Sequence, residues 1–328
     1  MLNRRRLMIA AASAGLSAGL RGRSSTARAE TVGRPARLVV GFAPGGSLDT
    51  IARVLVEQMK GYAPSLIVDN KPGATGRIAL DSIKSSPPDG TAMILTPSAA
   101  LVLYPHVYKK LAYDPINDFA PVTSVGSVSY DIAVGPRVPD SVKTLQDFVV
   151  WCRANPKDAA YGSPGAGSGH HFVGALFARA AGIDLIHVPY KGTAPAIQDL
   201  LGGQIAADIS VGAHLPLHKA GRIRILATSG VTRSAVLPDV PTFVEAGFQV
   251  VASDWFGLVM PAATPAPLIA AINANVRSAI AGQMMQDAMA KFGFTPGGES
   301  PADFAAMIRR DLASWGDIVK AAGFTAEE

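Results

Sequence analysis

The residues best placed to do chemistry are glycines, serines, threonines and alanines gathered into four short turns. They are Ala43 to Asp49, Gly73 to Arg77, Ser163 to His170 and Gly192 to Ala194. Each follows a β-type run and opens a helical one, so each aims free backbone N–H groups, at the positive end of a helix, beyond the strand ends. Donors of that kind suit a carboxylate. A hydrogen bond to a charged acceptor contributes about 1.5–3 kcal/mol, so three or four of them, less the cost of association, reach micromolar binding without an arginine.

Single residues within these turns have two readings each. Asp49 either contacts ligand or fixes its own loop, since an acid in a first helical turn is favoured by the dipole alone. Arg77 either pairs with an anion or lies solvated on the surface. Tyr190 and Trp255 are either core or pocket. Catalytic groupings do not form. Gly165-Ala166-Gly167-Ser168-Gly169 looks like a dinucleotide turn, but Ser168 is not in a Gly-x-Ser-x-Gly elbow. Lys191-Gly192-Thr193 has the residues of a phosphate loop in the wrong order. His214 and His218 are four apart, yet Pro216 between them speaks against a helix presenting both to a metal. His170 and His171 would diverge on a helix. No catalytic residue, metal ligand or cofactor is therefore assigned.

Strands and helices must position these turns. Strands are expected over residues 38–42, 66–69, 93–96, 185–188, 205–211 and 223–228. Helices are expected over 48–58, 78–84, 142–154, 171–181 and 194–201. Thr264-Pro265 reads as a cap and first helical residue, and Ser300-Pro301-Ala302-Asp303 as a capping-box start. The alternation argues for an α/β fold with largely parallel sheets. Two long β-type stretches, near 120–135 and 250–260, bracket a middle unit. They read as two crossing strands that form a hinge between two lobes, with residues 30–127 and 253–328 in the first and 128–252 in the second. Clefts between such lobes are where ligands sit.

The start of the chain reads as an address. Arg4, Arg5 and Arg6 precede an apolar run from Leu7 to Leu20, which is short of the roughly 20 residues that span a bilayer core. Ala27-Arg28-Ala29 then supplies a cleavage pattern, so residues 1–29 are expected to be an export signal of twin-arginine or general type. The whole chain has 30 basic and 25 acidic residues, a net +5. Residues 1–29 hold six arginines and no acid, so the remainder has 24 basic against 25 acidic, or −1. Bulk charge gives nucleic-acid binding no support. The single cysteine, Cys152, cannot form an internal disulfide and reads as a buried, inert thiol.

Many segments, in order, carry a resemblance. They include Phe42-Ala43-Pro44-Gly45-Gly46-Ser47-Leu48-Asp49, Asp69-Asn70-Lys71-Pro72-Gly73-Ala74, Pro88-Asp89-Gly90-Thr91, His187-Val188-Pro189-Tyr190-Lys191-Gly192-Thr193-Ala194, Asp199-Leu200-Leu201-Gly202-Gly203-Gln204 and Leu237-Pro238-Asp239-Val240-Pro241-Thr242. The chain resembles the extracytoplasmic solute receptors of tripartite tricarboxylate transporters, the Bug receptors, over nearly its whole length beyond the signal. The resemblance implies a two-lobe, type II periplasmic-binding-protein fold. It also implies a periplasmic, monomeric receptor that delivers a small carboxylate to a membrane permease of two other subunits, without catalysis. Family ligands are di- and tricarboxylates, acidic amino acids or aromatic acids, held largely by main-chain amides and bridging waters. That transfers to Phe42, Ala43, Gly46, Ser47 and Asp49 in the first lobe and to Ser163, Gly167, Ser168 and Ala194 in the second. Ser98 and Tyr190 complete the candidate set. The chain departs from the family at Thr75, Arg77, Ala79, Ser98-Ala99, Ser210 and around His214-Leu215-Pro216, all near the expected cleft, so no relative's ligand can be copied. A sensor that docks on a signalling kinase, and remotely a hydrolase or isomerase on this fold, are the rival readings.

Overall fold

Two β-sheets organise the chain, and the turns of interest follow the ends of their parallel strands. The computed structural model describes residues 32–59 and 61–324; the expected export signal lies outside them. The first sheet contains β1 (Ala36–Val40), β2 (Leu66–Asn70), β3 (Ala92–Pro97), β4 (Phe119–Ser129), β10 (Ser253–Pro261) and β11 (Thr295–Pro296), in the order β11-β4-β10-β3-β1-β2. The second contains β5 (Asp131–Val134), β6 (Ala160–Ser163), β7 (Ile186–Pro189), β8 (Ala207–Ser210) and β9 (Arg224–Thr228), in the order β7-β6-β8-β5-β9.

Both sheets are mixed and not largely parallel, since β4, β5 and β10 pair antiparallel with their neighbours, and parallel pairing within β1–β3 and β6–β8 sets the turns side by side. Val40 pairs with Asn70 in β2 and with Leu95 in β3, so the chain leaves all three strands at one edge. In the second sheet Ser163 pairs with Pro189, and β6 also runs parallel to β8. The helices that follow are α1 (Ser47–Gln58), α2 (Arg77–Lys84), α3 (Ala99–Val102) and α4 (Tyr104–Val107) on the first sheet. On the second they are α5 (Leu145–Ala154), α6 (Gly169–Ala181), α7 (Thr193–Leu201) and α8 (Leu215–Lys219). The apolar spacing of α1 buries Ile51, Ala52 and Leu55 on one face. Helix α5 starts three residues later than its apolar pattern, because Thr144 and Asp147 form a reciprocal capping box there. Helix α8 forms despite Pro216, because the proline falls in the first turn, where its missing N–H has no intrahelical partner to lose.

After β10 the chain builds α9 (Ala266–Ile280), α10 (Gln283–Lys291) and α11 (Pro301–Ala321). Pro265, not Thr264, occupies the cap of α9; the Thr264 hydroxyl instead donates to the Pro261 carbonyl at 2.7 Å. Ser300 caps α11 as its pattern suggests, accepting from the Asp303 N–H. Cys152 is 2% exposed, and burial pushes its thiol up to about 12.

Two strands cross between the sheets, and one residue staples them. Tyr130 links β4 to β5, and Ala252 leads into β10. Ser229, at the end of β9, donates its N–H to the Tyr130 carbonyl at 2.8 Å and accepts the Tyr130 N–H on Oγ at 2.9 Å. The same Oγ donates to the Ala252 carbonyl at 2.5 Å, and the Ser229 carbonyl accepts the Ala252 N–H at 3.0 Å. Helix α11 spans the flank of this crossing. It packs on β4, α3 and α4 and also on α6, where Arg179 donates to the Ala321 carbonyl at 2.8 Å.

Candidate functional site

The first-lobe turn is held from beneath and left open above. Asp49 is 3% exposed, and its carboxylate accepts from Gly45 N–H at 3.0 Å, Arg53 Nε at 2.9 Å and Nη2 at 3.0 Å, and Asn70 Nδ2 at 2.9 Å. Asn70 Nδ2 also reaches the Phe42 carbonyl at 3.1 Å, so it clamps both ends of the turn. The Arg53 guanidinium beside Asp49, helped by Gly45 and Asn70, holds the carboxyl down to about 2 against the effect of burial. Loop-fixing is thus the geometry Asp49 adopts. Gly45 takes φ +98°, a region side chains disfavour. Ala43 to Gly46 remain exposed, Phe42 and Ser47 are half-buried, and the first intrahelical backbone bond runs from Thr50 to Gly46. The N–H groups of Ser47, Leu48 and Asp49 are therefore unused by the helix.

Asp49→Ala is expected to lower unfolding stability by about 2 kcal/mol, because several donors lose a buried acceptor. Its depressed pKa makes this contribution present above the ordinary carboxylate range and lost as pH falls towards 2. Urea denaturation should find the gap between variant and parent closing at acid pH.

The turn after β2 lies against the first. A Cβ on Gly41 would meet the Gly76 Cα at 2.6 Å, so the two turns touch through bare backbone. Arg77 does not project freely: its guanidinium stacks 4.0 Å from the Tyr108 ring centre, and Nε donates to the Ala74 carbonyl at 3.0 Å. Ser98, at the end of β3, is 1% exposed and donates its hydroxyl to Asp254 at 2.6 Å. Burial raises the Asp254 carboxyl, although Ser98 and the Trp255 N–H partly counter it.

The second-lobe turns also adjoin. The Tyr190 N–H donates to the Ser163 carbonyl at 2.9 Å and the Gly192 N–H to the Pro164 carbonyl at 3.1 Å. Tyr190 spends its hydroxyl on Asp199 at 2.8 Å, while Ala194 is exposed in the first turn of α7. Ser168 caps α6 by accepting from the His171 N–H at 3.3 Å and donates to the Gly165 carbonyl at 2.7 Å. Gly167, at φ +72°, gives its own N–H to His171 Nδ1 at 3.2 Å. The amides of Gly169 and His170 are the ones the cap leaves over.

Ser163 stands 2.7 Å from His187 Nε2, the distance of a nucleophile and its base. It is fully buried, with the Gly165 carbonyl also within 3.0 Å of its Oγ, so no substrate atom can reach it in this arrangement. His187 and His171 stack at 4.0 Å; burial lowers both, His187 to about 4 with His171 adding to the effect. Neutrality suits His171, whose Nδ1 must accept the Gly167 N–H.

Tyr130 connects the two sides. Its ring meets His170 edge-on at 5.1 Å, and its hydroxyl lies so close to Gly169 that a Cβ there would be 2.1 Å away. Asp254 of the first sheet is near enough to raise the Tyr130 phenol further, after burial. Phe324, just past α11, lies over Gly167 and meets Phe172 at 5.4 Å. The structure thus gathers Phe42, Ala43, Gly46, Ser47 and Asp49 at one edge, Ser98 at the crossing, and Ser163, Gly167, Ser168, Tyr190 and Ala194 at the other. No backbone hydrogen bond joins the first-lobe turn to the second-lobe turns. A recess of about 310 Å³ between the crossing and α11, lined by Ser229, Val251, Arg310 and Trp315 among others, contains none of these candidates. Asn70, Tyr130, Asp254 and Phe324 have no place among the candidate residues the sequence offers, and His171 enters there only as half of a histidine pair set aside as a metal site. Asn70 lay within a quoted motif; the others lack a local signal.

Two α/β lobes joined by crossing strands, each with helix-opening turns after its parallel strands, define a two-lobed solute-binding protein. A family model described as the tripartite tricarboxylate transporter family receptor matches residues 51–324, and the chain belongs to that family. Protein BugT of Bordetella pertussis (strain Tohama I) is 32% identical over 294 residues, covering 88% of this chain and 90% of its own. An R. palustris protein solved with adipate superposes with a TM-score of 0.80 at 30% identity, covering 90% of this chain and 99% of its own. MatC from Rhodopseudomonas palustris, solved with bound malate, gives 0.74 at 27% identity, covering 87% and 99%. Among the described residues no helix is long and apolar enough to cross a membrane, and no group of three or more His, Cys, Asp or Glu is placed to hold a metal.

Proposed function

We propose that this chain is a periplasmic receptor that captures a small organic carboxylate, a di- or tricarboxylate or an aromatic acid, and presents it to a membrane permease of two other subunits. The observation that carries this reading is the pair of amide-rich turn sets, one following the parallel strands of each lobe, with the arginines beside the first set already engaged. Arg53 is committed to Asp49, and Arg77 to Tyr108. The exposed amides around Ala43, Gly46 and Ser47 take one end of the ligand. Those around Gly167, Ser168 and Ala194 take the other. Phe42 and Tyr190 flank the gap, while Asp49, Ser98 and Ser163 hold the walls in shape. The lobes divide at residues 127/128 and 252/253. Residues 1–29 direct export, with cleavage after Ala29, and the protein works as a monomer without enzymatic turnover.

Adipate and malate bound to family members support the ligand class and suggest the first probes. A thermal-shift panel of adipate, malate, citrate, glutamate and benzoate on the chain from residue 30 tests it. At a ligand concentration near 100 Kd, stabilisation is about 2.7 kcal/mol. For a protein of this size that is a rise of roughly 4 °C. At least one acid should give it, and the corresponding amide or alcohol should not. A flat response across the panel, with turnover of any compound, would remove the proposal.

A further inference from the structure

Among the described residues, four buried side-chain polar atoms lack a hydrogen-bond partner: His170 Nδ1, Asp208 Oδ1, Ser210 Oγ and Thr228 Oγ1. They surround one group. Asp131 pairs across the ladder with Ser210 on one side and Thr228 on the other, and Asp208 lies two residues before Ser210, on the same face. His214 stands over that face, fully buried, with Nδ1 against Asp131 and Nε2 2.9 Å from Asp208 Oδ2. The carboxylates are 4% and 1% exposed.

An ionised carboxylate only accepts, and a neutral imidazole has one N–H. With both ring nitrogens facing carboxylates, the arrangement is satisfied by an imidazolium that donates twice. Three titratable groups face it: Asp131 from β5, Asp208 from β8 and His170 from α6. His170 adds no charge, because burial, with His214 nearby, lowers it to about 3. Burial opposes charge on His214 as well, but Asp131 and then Asp208 outweigh it and raise the ring to about 10.

The position of Asp131 gives this cluster its meaning. It follows Tyr130, at the point where the first crossing strand enters the second lobe, and it also lines a cavity of about 20 Å³ with Ser129 and Thr228. The crossing's other restraint is the Ser229 staple on Tyr130 and Ala252. We infer that His214 is a positioning residue of the hinge: as a buried cation it fixes Asp131, and through Asp131 the path of the β4–β5 crossing on which lobe closure turns.

Hydrogen exchange on the chain from residue 30 tests this without any ligand. In His214→Gln the amides of Tyr130, Ser229 and Ala252 should exchange at least about 10-fold faster, while those of α1 and α9 stay unchanged. Because that variant leaves two buried carboxylates without a counter-charge, which endangers folding itself, Asp131→Asn/His214→Gln is the second arm. With Asp131 and His214 uncharged, and burial of Asp208 no longer opposed by His214 and so favouring its neutral form, protection at the crossing should return to within about 3-fold of the parent. After correction for intrinsic rates, the parent's protection should hold near neutral pH and fall as pH approaches 10; the double variant's should not. The ring nitrogens of His214 should both carry protons at about pH 7 by ¹⁵N NMR. Unchanged exchange in His214→Gln, a double variant as unprotected as the single one, or a neutral ring would each overturn the inference.

Discussion

With Gly46 replaced by valine, ligand-induced thermal stabilisation is expected to vanish while the ligand-free protein keeps nearly its original melting temperature. Gly46 has φ −77° and ψ 174°, an extended conformation any residue adopts, and a Cβ there meets nothing within 4 Å. The fold therefore has room for the side chain. The loss is confined to a poorer helix cap, about 1 kcal/mol or less. The same open space is where the proposed ligand must approach the Ser47 and Leu48 amides, and two methyl groups would stand between them. Loss of two hydrogen bonds to a charged acceptor corresponds to a weakening of at least about 100-fold, or 2.7 kcal/mol. Calorimetry with whichever acid stabilises the parent decides the matter. Undiminished affinity would place the site away from this turn.

Gly169→Ala should have the opposite profile, striking the fold as much as the site. Alanine is the best helix former, so nothing in local propensity opposes it. The obstacle is contact: its Cβ would lie 2.1 Å from the Tyr130 hydroxyl, 2.8 Å from Cζ and 3.3 Å from the Trp315 ring. Tyr130 is 2% exposed at the crossing, with His170 against its ring, and has nowhere to turn. Overpacking of this kind costs about 1–3 kcal/mol, with the tightest contacts at the upper end. The melting temperature should fall by roughly 2–5 °C. Tyr130→Phe removes the nearest atom, and in combination it should recover a measurable part of the loss. A neutral Gly169→Ala would show that α6 does not rest on Tyr130 in solution.

The alternation of strands and helices was legible because hydrophobic spacing changes from period two to period 3.6 along the chain. Boundaries were less so, for reasons visible in single residues. Thr144 and Asp147 stop α5 short of Val142. Pro216 lies in the first turn of a short helix that leaves His214 outside it, so His214 and His218 turn to different partners. The last helical stretch breaks into α9, α10 and α11, with Gly282 between the first two. The turns were readable from their small residues after β-type runs, yet the task of each side chain was not. Asp49 looks to Asn70, Ser163 to His187, Tyr190 to Asp199 and Ser98 to Asp254, the last across 156 positions. His214 offered only a doubtful spacing to His218. Its true partner Asp131 is 83 residues away, and no local pattern can announce such a pairing.

Helix α11 begins on one lobe and ends on the other, with Trp315 against Gly169 and Phe324 over Gly167. A jaw with a rod fixed along one cheek cannot swing freely. Any widening of the gap must either drag the rod's far tip across the opposing cheek or peel two aromatic rings from their seats, exposing oily surface to water. In the proposed receptor, travel between the empty and loaded shapes is therefore expected to be short, and a partner that reads the difference would have to sense a small displacement.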